Sequence, residues 1–168
     1  MAAVMDSKEK NLLSAQSLAE IDLWVNKYPA EQKQSASMAA LRIAQDANGG
    51  HLTEPLMDAV ADYLEMPRIS VYEVATFYSM YELKPVGKHK ICVCTNISCM
   101  LCGSDEIVEH INKRLGIGFG ETTTDGRITL KEVECLGACV GAPMLQIGET
   151  YYENLTPESI DAILDGLD

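Results

Sequence analysis

The chain has 168 residues, 47% of them apolar, which suits one ordinary domain or two small ones with a real core. It carries 13 Lys and Arg against 25 Asp and Glu, a net charge of -12, a surface that phosphate backbones repel, so no nucleic-acid partner is expected. No apolar run reaches the ~20 residues of a membrane span, and Met1 to Lys10 shows neither a signal-peptide core nor an Arg-rich amphipathic pattern, so the chain is expected to stay in the compartment where it is made, without direct membrane insertion.

The first half reads as helices. Ser17 with Glu20 gives a capping-box pattern, followed by Leu18, Ile21, Val25 and Tyr28 at helical spacing until Pro29. A second helix is predicted over Ser35 to Ala47, ending at Asn48-Gly49-Gly50. A third starts near Thr53 with Pro55 in its first turn and a stripe of Leu56, Val60 and Leu64, closed by Pro67. A fourth is predicted from Ser70, capped with Glu73, with Val71, Val74, Tyr78 and Tyr81 on one face. Four short helices bury their stripes only against each other or a partner, which implies a small bundle.

Lys84 to Lys88 reads as a linker, and the grammar then changes. Lys90 to Cys94 alternates as a strand; Ser104 to Leu115 reads as a helix ended by Gly116; Asp125-Gly126 is a turn before a strand over Arg127 to Val133. Met144 to Ile147 and Thr150 to Glu153 flank the hairpin signal Gly148-Glu149, and Thr156-Pro157 opens a last helix with Ile160, Ile163, Leu164 and Leu167 facing in. The order β-α-β-β-β-α suggests an α/β sandwich of thioredoxin type. The expectation is therefore an α+β chain: an N-terminal helical bundle over residues 1–83 and a thioredoxin-like α/β domain over residues 84–168.

Six cysteines, Cys92, Cys94, Cys99, Cys102, Cys135 and Cys139, all lie in the second half. Thiols kept reduced in a cytosol argue for metal or redox chemistry rather than a disulfide framework. Cys94 is expected at a strand end with Cys99 in the loop after it; Cys135 is expected at a second strand end with Cys139 in a glycine-rich loop. If the two strands are parallel, four soft thiolates gather at one sheet edge, a donor set for iron–sulfur or zinc. The pairs C-x4-C and C-x3-C are separated by 35 residues, unlike common zinc knuckles and unlike the plant-type and bacterial ferredoxin runs. Iron–sulfur, zinc and uncoordinated thiols all remain open on spacing, and Cys99-Met100-Leu101-Cys102 is also a C-x-x-C of dithiol type. Gly137 and Gly141 flank Cys139, either as turn glycines or to let backbone N–H groups reach sulfur. His51, His89 and His110 are scattered and read as surface or linker residues. Val74 to Tyr78 reads as helical packing. From Glu132 to Asp168 there are eight acidic residues and no Lys, Arg or His, a solvated face or a docking face for a basic partner.

Several stretches together carry a resemblance: Val74-Ala75-Thr76-Phe77-Tyr78, Pro85-Val86-Gly87-Lys88-His89, Cys94-x4-Cys99 with Gly103 after it, Thr123 to Arg127, Glu134 to Cys139, and Gly141-Ala142-Pro143-Met144. From about Leu18 to its C-terminus the chain resembles the thioredoxin-like [2Fe–2S] subunit family of bacterial NADH:quinone oxidoreductase, respiratory complex I. The resemblance implies one [2Fe–2S] cluster on Cys94, Cys99, Cys135 and Cys139, with no catalytic residue of the chain's own. It implies FMN and NADH on a partner subunit whose flavin yields single electrons, a further iron–sulfur subunit, and a cytoplasmic place peripheral to the inner face of the plasma membrane. No dinucleotide fingerprint follows a strand here, which agrees with NADH binding elsewhere. The same module in an NAD-linked hydrogenase or formate dehydrogenase, and a zinc-stabilised interaction domain, are the alternatives. Cys92, Ser98 and Cys102 depart from the family pattern.

Overall fold

The computed structural model describes residues 12–167. The chain divides between Pro85 and Val86 into two compact units.

The first unit is built of α1 (Ala15–Val25), α2 (Ser37–Ala47), α3 (Glu54–Tyr63) and α4 (Arg68–Phe77), with a 3-10 stretch over Ala30–Ala36. Its helix starts correct two expectations. Helix α1 begins at Ser14, not Ser17: the Ser14 hydroxyl accepts the Ser17 N–H at 3.0 Å. Leu13 before this cap and Leu18 four positions into the helix both join the core, the spacing of a hydrophobic staple. Helix α4 begins at Arg68 behind Pro67, which takes the cap position without a side-chain bond. The fixed φ of proline sets the first turn there, so Ser70 and Glu73 lie inside the helix. The stripe Leu56, Val60 and Leu64 is buried as expected, behind a Thr53 cap. The face read for α4 only half closes: Val71 and Tyr81 are buried, but Tyr78 turns extended at the helix end and is partly exposed. Gln45, buried on α2, holds the segment after α4 with both ends of its amide, donating to Met80 O and accepting from Glu82 N–H. The four stripes thus bury against each other in one continuous core.

The second unit carries β1 (His89–Cys94), α5 (Ile97–Leu101), α6 (Ser104–Leu115), β2 (Ile128–Val133), β3 (Leu145–Ile147), β4 (Thr150–Tyr152) and α7 (Pro157–Asp165). The sheet order is β2-β1-β3-β4, with β1 parallel to β2 and the β1–β3 and β3–β4 pairs antiparallel. Such a mixed sheet with α6 and α7 packed into its core is the thioredoxin-like α+β arrangement expected. The parallel pair runs in register from His89 opposite Ile128 to Cys94 opposite Val133. Ile107 and Ile111 of α6 and Ile160 and Leu164 of α7 meet Ile91, Val93, Leu130 and Leu145 from the strands. The end of the predicted linker is part of this unit. Gly87 N–H donates to the buried Thr129 hydroxyl at 2.6 Å, and a Cβ on Gly87 would fall 2.8 Å from the Ile128 backbone nitrogen. His110 is not a bystander: its ring Nε2 lies 2.9 Å from Asp161 on α7, a hydrogen bond that chiefly holds that carboxyl below its usual range. Among the described residues, no helix is long and apolar enough to cross a membrane.

Candidate metal centre

The parallel register of β1 and β2 makes the site. Both strands run in the same direction and stop level with each other, so the chain leaving Cys94 and the chain leaving Val133 emerge side by side. Thr95 N–H still bonds Val133 O at 3.2 Å, and the Thr95 hydroxyl donates to Glu132 at 2.8 Å. The Cys94 thiol then reaches across to Glu134 O at 3.6 Å, so the first cysteine of one loop touches the backbone beside Cys135 in the other.

Cys94 closes β1, but Cys99 is not in an open loop as expected. It sits in the one-turn helix α5, started by the Asn96 side chain accepting the Ile97 N–H at 2.9 Å. Asparagine is a strong helix cap, and the turn it starts swings Cys99 inward. Cys94 and Cys99 are buried with Met144 in a small apolar cluster walled by Leu136, Ala138 and Ala142. Cys135 lies two residues beyond the end of β2 rather than at it, and Cys139 opens a 3-10 turn over Cys139–Gly141. Both are exposed. Gly137, at φ +77°, presents its N–H to the Cys135 sulfur at 3.4 Å, a conformation and a hydrogen bond that a side chain there would disfavour. Gly141 does not do the same: its N–H goes to Ala138 O, which closes the turn.

The electrostatics of the buried pair bear on what the site can hold. Burial, followed by the hydrogen bond with Cys94, pushes the Cys99 thiol up to about 11, with a backbone hydrogen bond from Met144 acting in the opposite direction and the charges of Cys94 and Cys139 adding to the rise. Crowded thiolates in an apolar wall repel one another, and a cationic metal core relieves this by keeping the coordinating sulfur deprotonated. Among the described residues, no group of three or more His, Cys, Asp or Glu side chains is placed to hold a metal ion. A two-iron cluster asks for two thiolates at each of two irons, with N–H donors to sulfur that tune it. The soft donor set, the buried pair and the Gly137 N–H fit such a group.

Three supports of this site lack a sequence signal. Met144 O accepts the Cys94 N–H, the Tyr151 hydroxyl donates to Leu136 O at 2.9 Å, and Asn154 N–H donates to Gly141 O at 2.7 Å. They come from beside β3, from β4 and from the segment after it, and only the fold brings them to the cysteine loops. Cys92 lies half-buried within β1, and Cys102 caps α5 in an exposed position.

A sheet of this order, with cysteines at and beyond the ends of its parallel pair, is of thioredoxin-like fold. Residues 21–168 match the thioredoxin-like [2Fe–2S] ferredoxin family. Over 159 residues the chain is 52% identical to a subunit of the NADH-quinone oxidoreductase of Rickettsia bellii, covering 95% of this chain and 92% of that protein. Over 146 residues it is 46% identical to the corresponding NADH-quinone oxidoreductase subunit in Rhizobium meliloti, covering 87% and 85%. The fold is also similar to a chain of an NAD+-reducing [NiFe]-hydrogenase in the air-oxidized state, at TM-score 0.67 and 20% identity, covering 78% of this chain and 22% of that longer one. The chain belongs to the thioredoxin-like [2Fe–2S] ferredoxin family, and its relatives include subunits of bacterial NADH-quinone oxidoreductases.

Proposed function

We propose that this chain is a one-electron carrier of an NADH:quinone oxidoreductase, holding one [2Fe–2S] cluster on Cys94, Cys99, Cys135 and Cys139. The observation that carries this reading is the level ending of β1 and β2, which sets the two cysteine loops against each other through the Cys94–Glu134 contact. Such a cluster, when bound, takes up and releases one electron. The chain's own residues do the rest. Cys94 and Cys99 would fix one side of the site inside an apolar wall. Gly137 aims a donor at the sulfur of Cys135 and offsets its negative charge.

In this reading the electron comes from FMN on the NADH-oxidising subunit, a second iron–sulfur subunit lies alongside, and the assembly sits at the inner face of the plasma membrane. Ile97 and Leu101 on α5 and Val140 beside Cys139 are exposed apolar side chains, which suits burial by a partner. Relatives at 46% and 52% identity favour this complex over an NAD-linked hydrogenase, for which the likeness is one of fold.

The test is the anaerobically purified protein. Two irons and two acid-labile sulfides per chain, a brown colour, and uptake of one electron with a paramagnetic signal are expected. NADH alone should leave the colour intact, and NADH with the FMN-bearing subunit should bleach it. A colourless protein with one zinc would overturn the reading.

A further inference from the structure

The segment leaving β4 is fastened onto the loop of Cys139 by two backbone hydrogen bonds. Asn154 N–H donates to Gly141 O at 2.7 Å, and Leu155 N–H donates to Pro143 O at 3.0 Å. Asn154 adopts φ +50°, the left-handed region that asparagine tolerates better than most side chains. This turn lays the Glu153 side chain over Gly141, two residues beyond Cys139. A Cβ built on Gly141 would fall 2.5 Å from the Glu153 carboxyl carbon and from Oε2. The Glu153 Cβ would lie 2.6 Å away as well, so the glycine is what leaves room for the whole Glu153 side chain.

We propose that Glu153 is a positioning residue for the redox centre: it holds a fixed negative charge against the Cys139 loop and keeps the cluster's reduction potential low. The inference rests on Cys139 being a ligand, as proposed above. Adding an electron makes a thiolate-bound cluster more negative, and a nearby carboxylate opposes that step. Glu153 is exposed, so water and salt reduce its effect without removing it.

The experiment is a redox titration of the full-length protein with its cluster, followed by its low-temperature paramagnetic signal. Glu153→Gln keeps the shape and drops the charge, and its potential should rise above wild type with the visible spectrum unchanged. Glu153→Asp keeps the charge and should remain closer to wild type than Glu153→Gln. Glu149→Gln is the control: it removes the same charge from the β3–β4 turn and should shift the potential less. The rise in Glu153→Gln should shrink as ionic strength increases. A wild-type potential in Glu153→Gln with an intact spectrum would overturn the proposal. So would equal shifts in Glu153→Gln and Glu149→Gln, which would mean that net charge rather than position matters. A wild-type protein without a reducible two-iron cluster would overturn the function on which the inference rests, and the inference with it.

Discussion

The two units of this chain organise their interiors differently. In the helical unit, buried side chains from all four helices form one core, from Leu13 to Tyr81. In the sheet unit the interior is divided: one cluster lies between the sheet and helices α6 and α7, and a second, much smaller one holds Cys94, Cys99 and Met144. The described helical unit closes its interior with apolar side chains and the Gln45 amide. The sheet unit sets two buried thiols against Met144 in a small cluster of their own. This division separates what stabilises the fold from what tunes the site, so the two can be perturbed apart.

The largest effect should come from emptying the small cluster. Cys94→Ser is expected to abolish the visible absorption and the bound iron, because a serine oxygen is a poor replacement for a soft thiolate. Metal binding couples to folding where the site forms only in the native chain. Hydrogen exchange should therefore speed up in β1, α5 and the Cys135–Gly141 loop, while amides of α1 to α4 stay protected. Equal loss of protection in both units would show that the division of the core has no energetic meaning.

The converse experiment strikes the helical core. Leu41 is fully buried on α2, and Leu41→Ala should cost about 2–5 kcal/mol in denaturant unfolding followed by helical circular dichroism. The cluster's spectrum should be unchanged at temperatures where the protein remains folded.

Much of this contrast is legible in the sequence, and what is not legible follows a pattern. The spacing of Leu56, Val60 and Leu64, the helix from Ser104 to Leu115 and the Gly148-Glu149 hairpin are local signals, and each has its counterpart in the fold. Ser17 and Ser70 mislead as helix starts because a cap is chosen by what lies on both sides of it. Leu13 and Leu18 select Ser14, and Pro67 pre-empts Ser70. At the site, Cys94 falls at a strand end in the pattern itself, and β1 ends there. The short helix around Cys99 is hidden because Asn96 looks the same in a loop as at a cap. The contacts from Met144, Tyr151 and Asn154 cross between elements far apart in sequence, and no local period encodes them.

Alkaline pH should distinguish the units more gently. Three tyrosines of the helical unit are pushed up to about 12: Tyr63 mainly by its hydrogen bond to Asp22, Tyr72 mainly by its bond to Asp58, and Tyr81 by burial. Each has a folded value above its ordinary 10.0, so each contributes stability that is fully present below pH ~10 and lost as pH rises through ~12. Helical ellipticity should fall together with the rise of tyrosinate absorbance over that window. Tyr81→Phe keeps the buried ring and should make the fall shallower. A fall in ellipticity complete before tyrosinate appears would exclude these groups as its cause.

The smallest effect is expected at Cys102, and it bears most directly on the ligand assignment. Cys102 is the C-cap of α5, with its N–H bonded to Ser98 O and Cys99 O, and its side chain is exposed while that of Cys99 is buried. Serine supports the same backbone turn, so Cys102→Ser should leave the fold, the iron content and the spectrum nearly as they are. Positions three apart on a helical turn are neighbours, so Cys102 is within reach of the place that Cys99 occupies. Cys99→Ser should therefore keep part of its colour with an altered spectrum, as Cys102 exchanges into the site, and the double variant should be colourless. Iron per chain and the visible spectrum of the three proteins, prepared side by side, decide the matter. A colourless Cys102→Ser beside a brown Cys99→Ser would reverse the assignment and make the exposed cysteine the ligand. The buried thiol of Cys99 would then be only another core side chain beside Met144.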